Sequence, residues 1–134
     1  MSYALPAPTP QTRFFWDEAQ QRRLVLSYCR DTEQYFFYPR AFSPFTGSAN
    51  VEWRQASGMA TLHSYIINHR PVPGSEILSP VIALVKLAEG PVMMSNIVDV
   101  DPLPENLPLD MPLRVDFREA DGMLLPVFTP TKER

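Results

Sequence analysis

The chain has 134 residues, a formal net charge of −3 and 45% hydrophobic residues, which is typical of one globular domain or two very small ones. Its twelve Lys and Arg residues are scattered, and this lowers the expectation of nucleic-acid binding because phosphate recognition leaves a basic footprint. No apolar run approaches the roughly 20 residues that span a bilayer. The N-terminal residues also lack the basic and apolar regions of a signal peptide. We therefore expect a cytoplasmic protein.

The counts of cysteine, proline and glycine predict the fold class. A single cysteine excludes an intrachain disulfide and a four-thiolate zinc site. The chain has 15 prolines and 5 glycines, whereas average usage gives about 7 and about 9. Because proline interrupts helices and interior strands, the excess predicts a mainly β protein whose short elements are joined by fixed turns.

The N-terminal part is expected to form an arm, a helix and two strands. Prolines alternate with small residues over 1–10, which is typical of an extended segment. A short helix is predicted over 13–23, with Thr12 as its cap and acidic residues in its first half. Strands are predicted over 24–28 and 35–38.

From residue 51 onward, the pattern predicts strands throughout. A strand is predicted at 51–55, followed by a long strand at 59–69 and a hairpin at 81–100 that turns at Glu89-Gly90. After a loop at 101–112, a strand is predicted at 113–117 with Leu113, Val115 and Phe117 pointing inward. A turn at Asp121-Gly122 then leads into a closing strand at 123–128. Pro126 implies that the closing strand lies at an edge or contains a bulge. Five or six antiparallel strands over about 80 residues are the size of a small closed barrel.

Residues 29–48 have the spacing of a zinc ribbon without its ligands. Cys29 and Thr32 stand three apart, as do Ser43 and Thr46, and a proline and a glycine follow the members of the second pair. With cysteines at all four positions, the segment would be a pair of zinc knuckles. Hydroxyls are poor zinc ligands at neutral pH, so this set predicts no bound metal. On spacing alone, chance and an ordinary buried thiol remain an open alternative.

Short motifs follow one another in a fixed order over roughly residues 13–130. They are Phe15-Trp16, Leu24 with Cys29, Tyr38-Pro39-Arg40, Glu52-Trp53, Ser57-Gly58, Leu87 with Glu89-Gly90, Ser95–Ile97, and Leu125-Pro126 with Phe128. Together they resemble the zinc-ribbon/OB-fold family that associates with acyl-CoA enzymes, formerly a domain of unknown function. The chain departs from that family by lacking three of four zinc ligands, and by having Asp110 where members usually have glycine.

This resemblance implies a three-part organisation. An extended arm over 1–12 would precede a short helix and a rubredoxin-like zinc-ribbon remnant without metal over 13–50. A small antiparallel OB-fold barrel would follow over 51–130. We expect aromatic packing to replace the metal, with candidates Tyr28, Tyr35, Phe36, Phe37, Tyr38, Phe42 and Phe45. Each buried ring would contribute about 1.5–3 kcal/mol, against on the order of 10–16 kcal/mol from zinc in small fingers.

No catalytic pattern is present in the sequence, so we expect neither an enzyme nor a cofactor. His63 and His69 lie six residues apart and are expected at half-exposed strand positions. Nothing near Cys29 in the sequence supplies the base that a nucleophilic thiol needs. The resemblance instead implies a non-catalytic accessory or scaffolding subunit for a thiolase-like or other acyl-CoA-processing enzyme, with contact to acyl-CoA.

Phe14, Trp16, Arg40 and Trp53 are the candidate ligand or partner contacts, because they have the residue types of interface anchors. Core packing of the two tryptophans stays open as an alternative. Two further functions also stay open. One is single-stranded nucleic-acid binding by the barrel. The other is a stand-alone acyl-CoA or lipid-binding module, with its ligand between helix and barrel.

Overall fold

The computed structural model describes residues 5–73 and 76–131, and in these it contains one short helix, a three-stranded sheet and a closed five-stranded barrel. The elements are α1 (Arg13–Ala19), β1 (Val25–Cys29), β2 (Gln34–Phe36), β3 (Val51–Gln55), β4 (Met59–Ile67), β5 (Val81–Leu87), β6 (Val92–Ile97), a 3₁₀ turn (Pro104–Asn106), β7 (Pro112–Ala120) and β8 (Met123–Pro130). The predicted mainly β class, with a short helix, a ribbon and a barrel, is confirmed.

The N-terminal sheet has the order β2-β1-β3, and both pairs are antiparallel. Its central strand β1 is buried at all five positions, which explains why its sequence is apolar apart from Ser27. Cys29, at the end of β1, pairs with Gln34 on one side and with Val51 on the other. The first pair of ribbon positions therefore lies at the turn between β1 and β2, and the second pair lies in the connection between β2 and β3.

The barrel closes in the order β4-β5-β6-β8-β7, and β7 pairs back onto β4. In the described residues, β6 and β8 run parallel and are paired only at Ile97 and Phe128. Pro126 pairs with Phe117 of β7, and its carbonyl accepts a hydrogen bond from the Ser95 hydroxyl at 2.9 Å. Pro126 was expected at an edge or a bulge, but β8 lies between β6 and β7 of the closed barrel, and its sparse ladder pairing toward β6 is what tolerates a proline there.

The helix is shorter than predicted and is capped differently. It ends at Ala19 instead of residue 23, and Arg22 has a φ of +61° in the turn that follows. The Gln20 side chain bonds to the backbone of β8, and this long-range contact replaces a further helical turn. The Thr12 hydroxyl accepts a hydrogen bond from the Thr9 N–H at 2.9 Å and does not cap the helix.

The helix, the ribbon and the barrel share one hydrophobic core. Its most deeply buried large side chains include Leu26 of β1 together with Leu62, Ile97, Leu113 and Phe128 of the barrel. Phe15 and Ala19, four residues apart on α1, join the same cluster. Of the three β7 residues predicted to point inward, Leu113 and Phe117 are buried and Val115 is half-buried against the core.

The turn at Asp110 keeps the conformation that glycine would adopt. Asp110 has a φ of +68°, in the left-handed region that aspartate tolerates better than most residues. Its N–H donates to the Leu62 carbonyl at 2.7 Å, and the Leu62 N–H donates to the Met111 carbonyl at 3.0 Å. The departure from the family at this position therefore leaves the entry into β7 hydrogen-bonded to β4.

Candidate functional site: an apolar cleft beside the helix

A cleft of about 640 Å³ lies between α1, the chain after β2, the chain before β5, and strands β6 and β8. Its lining residues are Pro6, Thr12, Phe15, Trp16, Phe37, Tyr38, Pro39, Asn68, Glu76, Ile77, Leu78, Ser79, Ile82, Met93, Met94, Ser95, Asn96, Leu125 and Pro126. This volume lies within the range of small-molecule sites in proteins.

Four aromatic rings form one side of the cleft. Phe15 is buried and meets Trp16 edge-on, with 4.9 Å between ring centroids. Phe37 contacts Phe15 at 5.6 Å and Tyr38 at 4.4 Å. Since Phe15 packs into the core, α1 presents the neighbouring Trp16 to the cleft. The aromatic side of the cleft is therefore fixed to the core by Phe15.

The polar side chains of Ser79, Ser95 and Asn96 in the cleft lining form hydrogen bonds to backbone carbonyls of the protein itself. The Ser79 hydroxyl donates to the Ile97 carbonyl, and the Ser95 hydroxyl donates to the Pro126 carbonyl. The Asn96 side-chain amide donates to backbone carbonyls at 3.2 Å. Among the described residues that line the cleft, Glu76 is the only charged one. The cleft thus offers apolar contact and no cation for a phosphate.

The four predicted site residues lie in three different places in the structure. Trp16 lines the cleft. Phe14 and Trp53 contact each other, with 5.2 Å between ring centroids; Phe14 is 43% exposed and Trp53 is half-buried. Arg40 is exposed and directly follows Pro39 of the cleft lining. We call the Phe14–Trp53 pair the ring pair; neither residue is among those that line the cleft.

Several cleft residues were not singled out as site residues from the sequence. Phe37 and Tyr38 belong to the aromatic run that was assigned to a strand and to ribbon packing. Ile77 and Met94 were also missed. Met94 is 58% exposed on β6, next to the buried Met93. A methionine pair with one member at an outward strand position is the signal that could have found this surface.

Gln20 fixes the position of α1 against the barrel. Its side-chain amide donates to the Leu124 carbonyl at 3.0 Å, and its side-chain oxygen accepts from the Leu124 N–H at 2.9 Å. The amide also donates to the Trp16 carbonyl at 3.1 Å. One side chain therefore joins the helix that carries Trp16 to β8, and both elements line the cleft.

Gln20→Ala is expected to lower the free energy of unfolding by about 2 kcal/mol, because two paired groups of Leu124 lose their partner. Gln21→Ala is the control, since Gln21 is exposed on the same turn, and it should change stability by less than about 0.5 kcal/mol. Urea unfolding of both variants measures the difference. Equal losses would show that Gln20 does not join the helix to the barrel.

The four ribbon positions do not fit zinc. Cys29 is fully buried and is the one thiol of the chain. Ser43 is also buried, and its Oγ accepts the N–H groups of Phe45 at 3.0 Å and Thr46 at 3.3 Å. The Thr46 Oγ1 accepts the Ser48 N–H at 3.2 Å. Zinc in proteins takes thiolate, imidazole or carboxylate ligands, and this set supplies a single one of them.

Hydrogen bonds from the hydroxyls of Ser43 and then Thr32 lower the pKa of the Cys29 thiol from 9.0 to about 7, although burial acts to raise it. Since the folded state then binds fewer protons than the unfolded state between these pKa values, stability should rise as the pH is raised from about 7 to about 9. The contribution is lost as the pH falls through 7. Urea unfolding between pH 7 and pH 9 should show this rise in the free energy of unfolding for the wild type and not for Cys29→Ser. The same pH dependence in both proteins would show that the Cys29 thiol does not contribute.

The predicted aromatic packing is present in part of the ribbon. Phe36 is buried and meets Phe45 edge-on at 6.1 Å, and Tyr28 meets Tyr35 at 4.9 Å. The Arg54 guanidinium lies 3.6 Å from the centroid of the Tyr28 ring. Burial is not observed for three of the seven rings, because Tyr38, Phe42 and Phe45 are 57%, 59% and 47% exposed, although Phe45 still contacts Phe36 and Tyr38 still contacts Phe37. Their positions in the chain after β2 leave them outside the sheet.

Within the described part of the chain, no group of three or more His, Cys, Asp or Glu side chains could hold a metal ion. His63 and His69 are exposed. No helix in the same residues has the length and apolarity that a membrane span requires.

The chain is similar to known proteins over nearly its whole length. Residues 16–52 match the rubredoxin-like zinc ribbon domain of ChsH2, and residues 53–118 match the C-terminal OB-fold domain of ChsH2. A "DUF35 domain-containing scaffold protein" of Pyrococcus furiosus is 32% identical over 88% of this chain and 89% of that protein.

A "Probable enoyl-CoA hydratase alpha subunit" of Thermomonospora curvata is 34% identical over 93% of this chain. The chain spans only 39% of that relative's length. A chain of the solved structure "Ltp2-ChsH2(DUF35) aldolase" is 33% identical and superposes with a TM-score of 0.83. That match covers 94% of this chain and 98% of the solved one.

Proposed function

Because the chain belongs to the DUF35 family of ChsH2-type zinc-ribbon and OB-fold proteins, we propose that it is a non-catalytic accessory subunit of a thiolase-like or other acyl-CoA-processing enzyme in the cytoplasm. The observation that carries this proposal is the match to nearly all of one chain of the "Ltp2-ChsH2(DUF35) aldolase". The relatives named as a scaffold protein and a hydratase alpha subunit support the same role.

The ring pair is the proposed contact with the partner enzyme. Phe14 is a large aromatic side chain that is 43% exposed and lies against the half-buried Trp53. Exposed aromatic residues next to buried ones are typical of the energetically important centres of protein interfaces. Arg40, exposed beside the cleft, is proposed as a further contact. Neither role requires a catalytic group, which agrees with a non-catalytic subunit.

The cleft is proposed to receive the uncharged acyl part of the substrate. Its lining is aromatic and aliphatic, and its one charged member, among the described residues, is the acidic Glu76. The phosphates of CoA need cations, so we propose that the partner enzyme supplies most of the groups that hold them. The same charge distribution disfavours nucleic-acid binding by this surface.

Co-expression with thiolase-like proteins of the same organism tests the proposal. We expect the chain and one of them to elute together, and the acyl-CoA activity of that partner to fall at least tenfold when the chain is removed. A chain that elutes alone, with an unchanged partner activity, would refute the accessory role.

The stand-alone acyl-binding module is the second candidate, and the cleft is the observation that favours it. Calorimetry on the isolated chain with CoA and with a long-chain acyl-CoA separates the two. Saturable binding of the acyl-CoA without a partner, and none of CoA, would support the stand-alone module. No binding to the isolated chain, but binding to the co-purified complex, would support the accessory subunit.

A further inference from the structure

Two segments of the ribbon have the same local hydrogen-bond pattern around different atoms. At Ser43, the N–H groups two and three residues later, of Phe45 and Thr46, donate to the side-chain oxygen. At Cys29, the corresponding N–H groups of Asp31 and Thr32 both contribute to lowering the pKa of the thiol. In a zinc knuckle, a metal-bound thiolate would occupy the position of each of these side-chain atoms.

Polar contacts also join the two segments, as a shared metal ion would. The Ser43 and Cys29 side chains are both buried, and the Ser43 hydroxyl is the main cause of the lowered pKa of the Cys29 thiol. The Asn50 side-chain amide donates to the Asp31 carboxylate at 2.7 Å, and the Arg30 guanidinium donates to the Asn50 side-chain oxygen at 2.8 Å. These contacts link residues 29–32 to the segment that carries Ser43.

We propose that the buried Ser43 hydroxyl and Cys29 thiol, together with the hydrogen bonds of Asn50 to Asp31 and Arg30, take over the structural role of zinc in the ribbon, while the backbone keeps the conformation of a metal site. Two consequences follow, and the second distinguishes this from a ribbon that has merely lost its metal. The wild-type fold is independent of zinc, and three cysteines at positions 32, 43 and 46 recreate a zinc site with Cys29. The second follows because the hydrogen bonds around Ser43, and those that join Arg30 and Asp31 to Asn50, already hold both chain segments in place.

The metal content of the full chain tests both consequences. Wild-type protein purified from zinc-supplemented medium should contain no stoichiometric zinc, and a chelator should leave its thermal midpoint unchanged. The T32C/S43C/T46C variant should bind about one zinc per chain and give the absorption spectrum of tetrahedral cobalt thiolate with Co²⁺. Its thermal midpoint should fall when the metal is removed. Zinc in the wild type, or a variant that binds no metal or does not fold with it, overturns the proposal.

Ser43→Ala tests the role of the hydroxyl without any metal. We expect the amide hydrogens of Phe45 and Thr46 to exchange at least tenfold faster than in the wild type. Ser79→Ala is a matched control, because Ser79 is also buried and its hydroxyl accepts an N–H two residues later, from Val81 at 3.1 Å in the barrel. That control should leave exchange at Phe45 and Thr46 unchanged. Unchanged exchange in Ser43→Ala would show that the hydroxyl does not hold the ribbon.

Discussion

Gly58→Ala is expected to lower the free energy of unfolding by about 2–5 kcal/mol. Gly58 is buried, with a φ of +87°, and a Cβ built there would lie 2.6 Å from Cγ1 of Val115. The left-handed conformation costs a residue with a Cβ about 1–2 kcal/mol, and overpacking of a filled site costs about 1–3 kcal/mol. The Val115 N–H donates to the Gly58 carbonyl at 2.8 Å, so Gly58 and β7 cannot move apart without losing that bond.

Gly122→Ala separates the cost of the left-handed conformation from the cost of overpacking. Gly122 has the same φ of +87°, but a Cβ there would meet nothing within 4 Å. Urea unfolding should therefore show a loss of only about 1–2 kcal/mol for this variant. Val115→Ala in the Gly58→Ala background should restore part of the stability by removing the clash. Equal losses for the two glycine variants would show that contact with Val115 is not what requires glycine at position 58.

Local patterns were sufficient to predict most of the strands. The predicted 51–55 strand is observed as Val51–Gln55, and the predicted 81–100 hairpin forms from Val81–Leu87 and Val92–Ile97. Alternation of apolar and polar residues and the turn at Asp121-Gly122 are local signals, and they act within a few residues. The helix end was not predictable this way, because Gln20 is held by a bond to Leu124, 104 positions away.

The candidate site depends on contacts that the sequence does not display. Trp16 was predicted as a contact residue and lines the cleft, but Tyr38, Ile77 and Met94 reach it from three other segments. Only the closure of the barrel and the docking of α1 bring these segments together. The four ribbon positions were identified by spacing, because a metal knuckle is a local motif. The hydrogen bonds that replace the metal depend on burial and backbone geometry, and those appear only in the folded chain.

Phe15→Ala and Phe14→Ala should have opposite consequences although the residues are neighbours. Phe15 is 4% exposed and contacts both Trp16 and Phe37. Its truncation should cost about 3–5 kcal/mol of unfolding free energy, because the cavity would lie in the shared core. Phe14 is 43% exposed and its ring contact is with Trp53, so its truncation should cost less than about 1 kcal/mol.

Binding to the partner enzyme should be weakened by Phe14→Ala and not by Phe15→Ala, provided that both variants are measured in the folded state. Phe14→Ala removes one ring of the ring pair and should weaken the complex at least tenfold, about 1.4 kcal/mol, as measured by titration of the folded variant with the partner. Phe15→Ala, assayed at a temperature where it remains folded, keeps the ring pair and should bind within a few-fold of the wild type. A Phe14→Ala variant that is stable and binds normally would place the partner contact away from the ring pair. The cleft side of α1, where Trp16 lies, would then be the surface to test next.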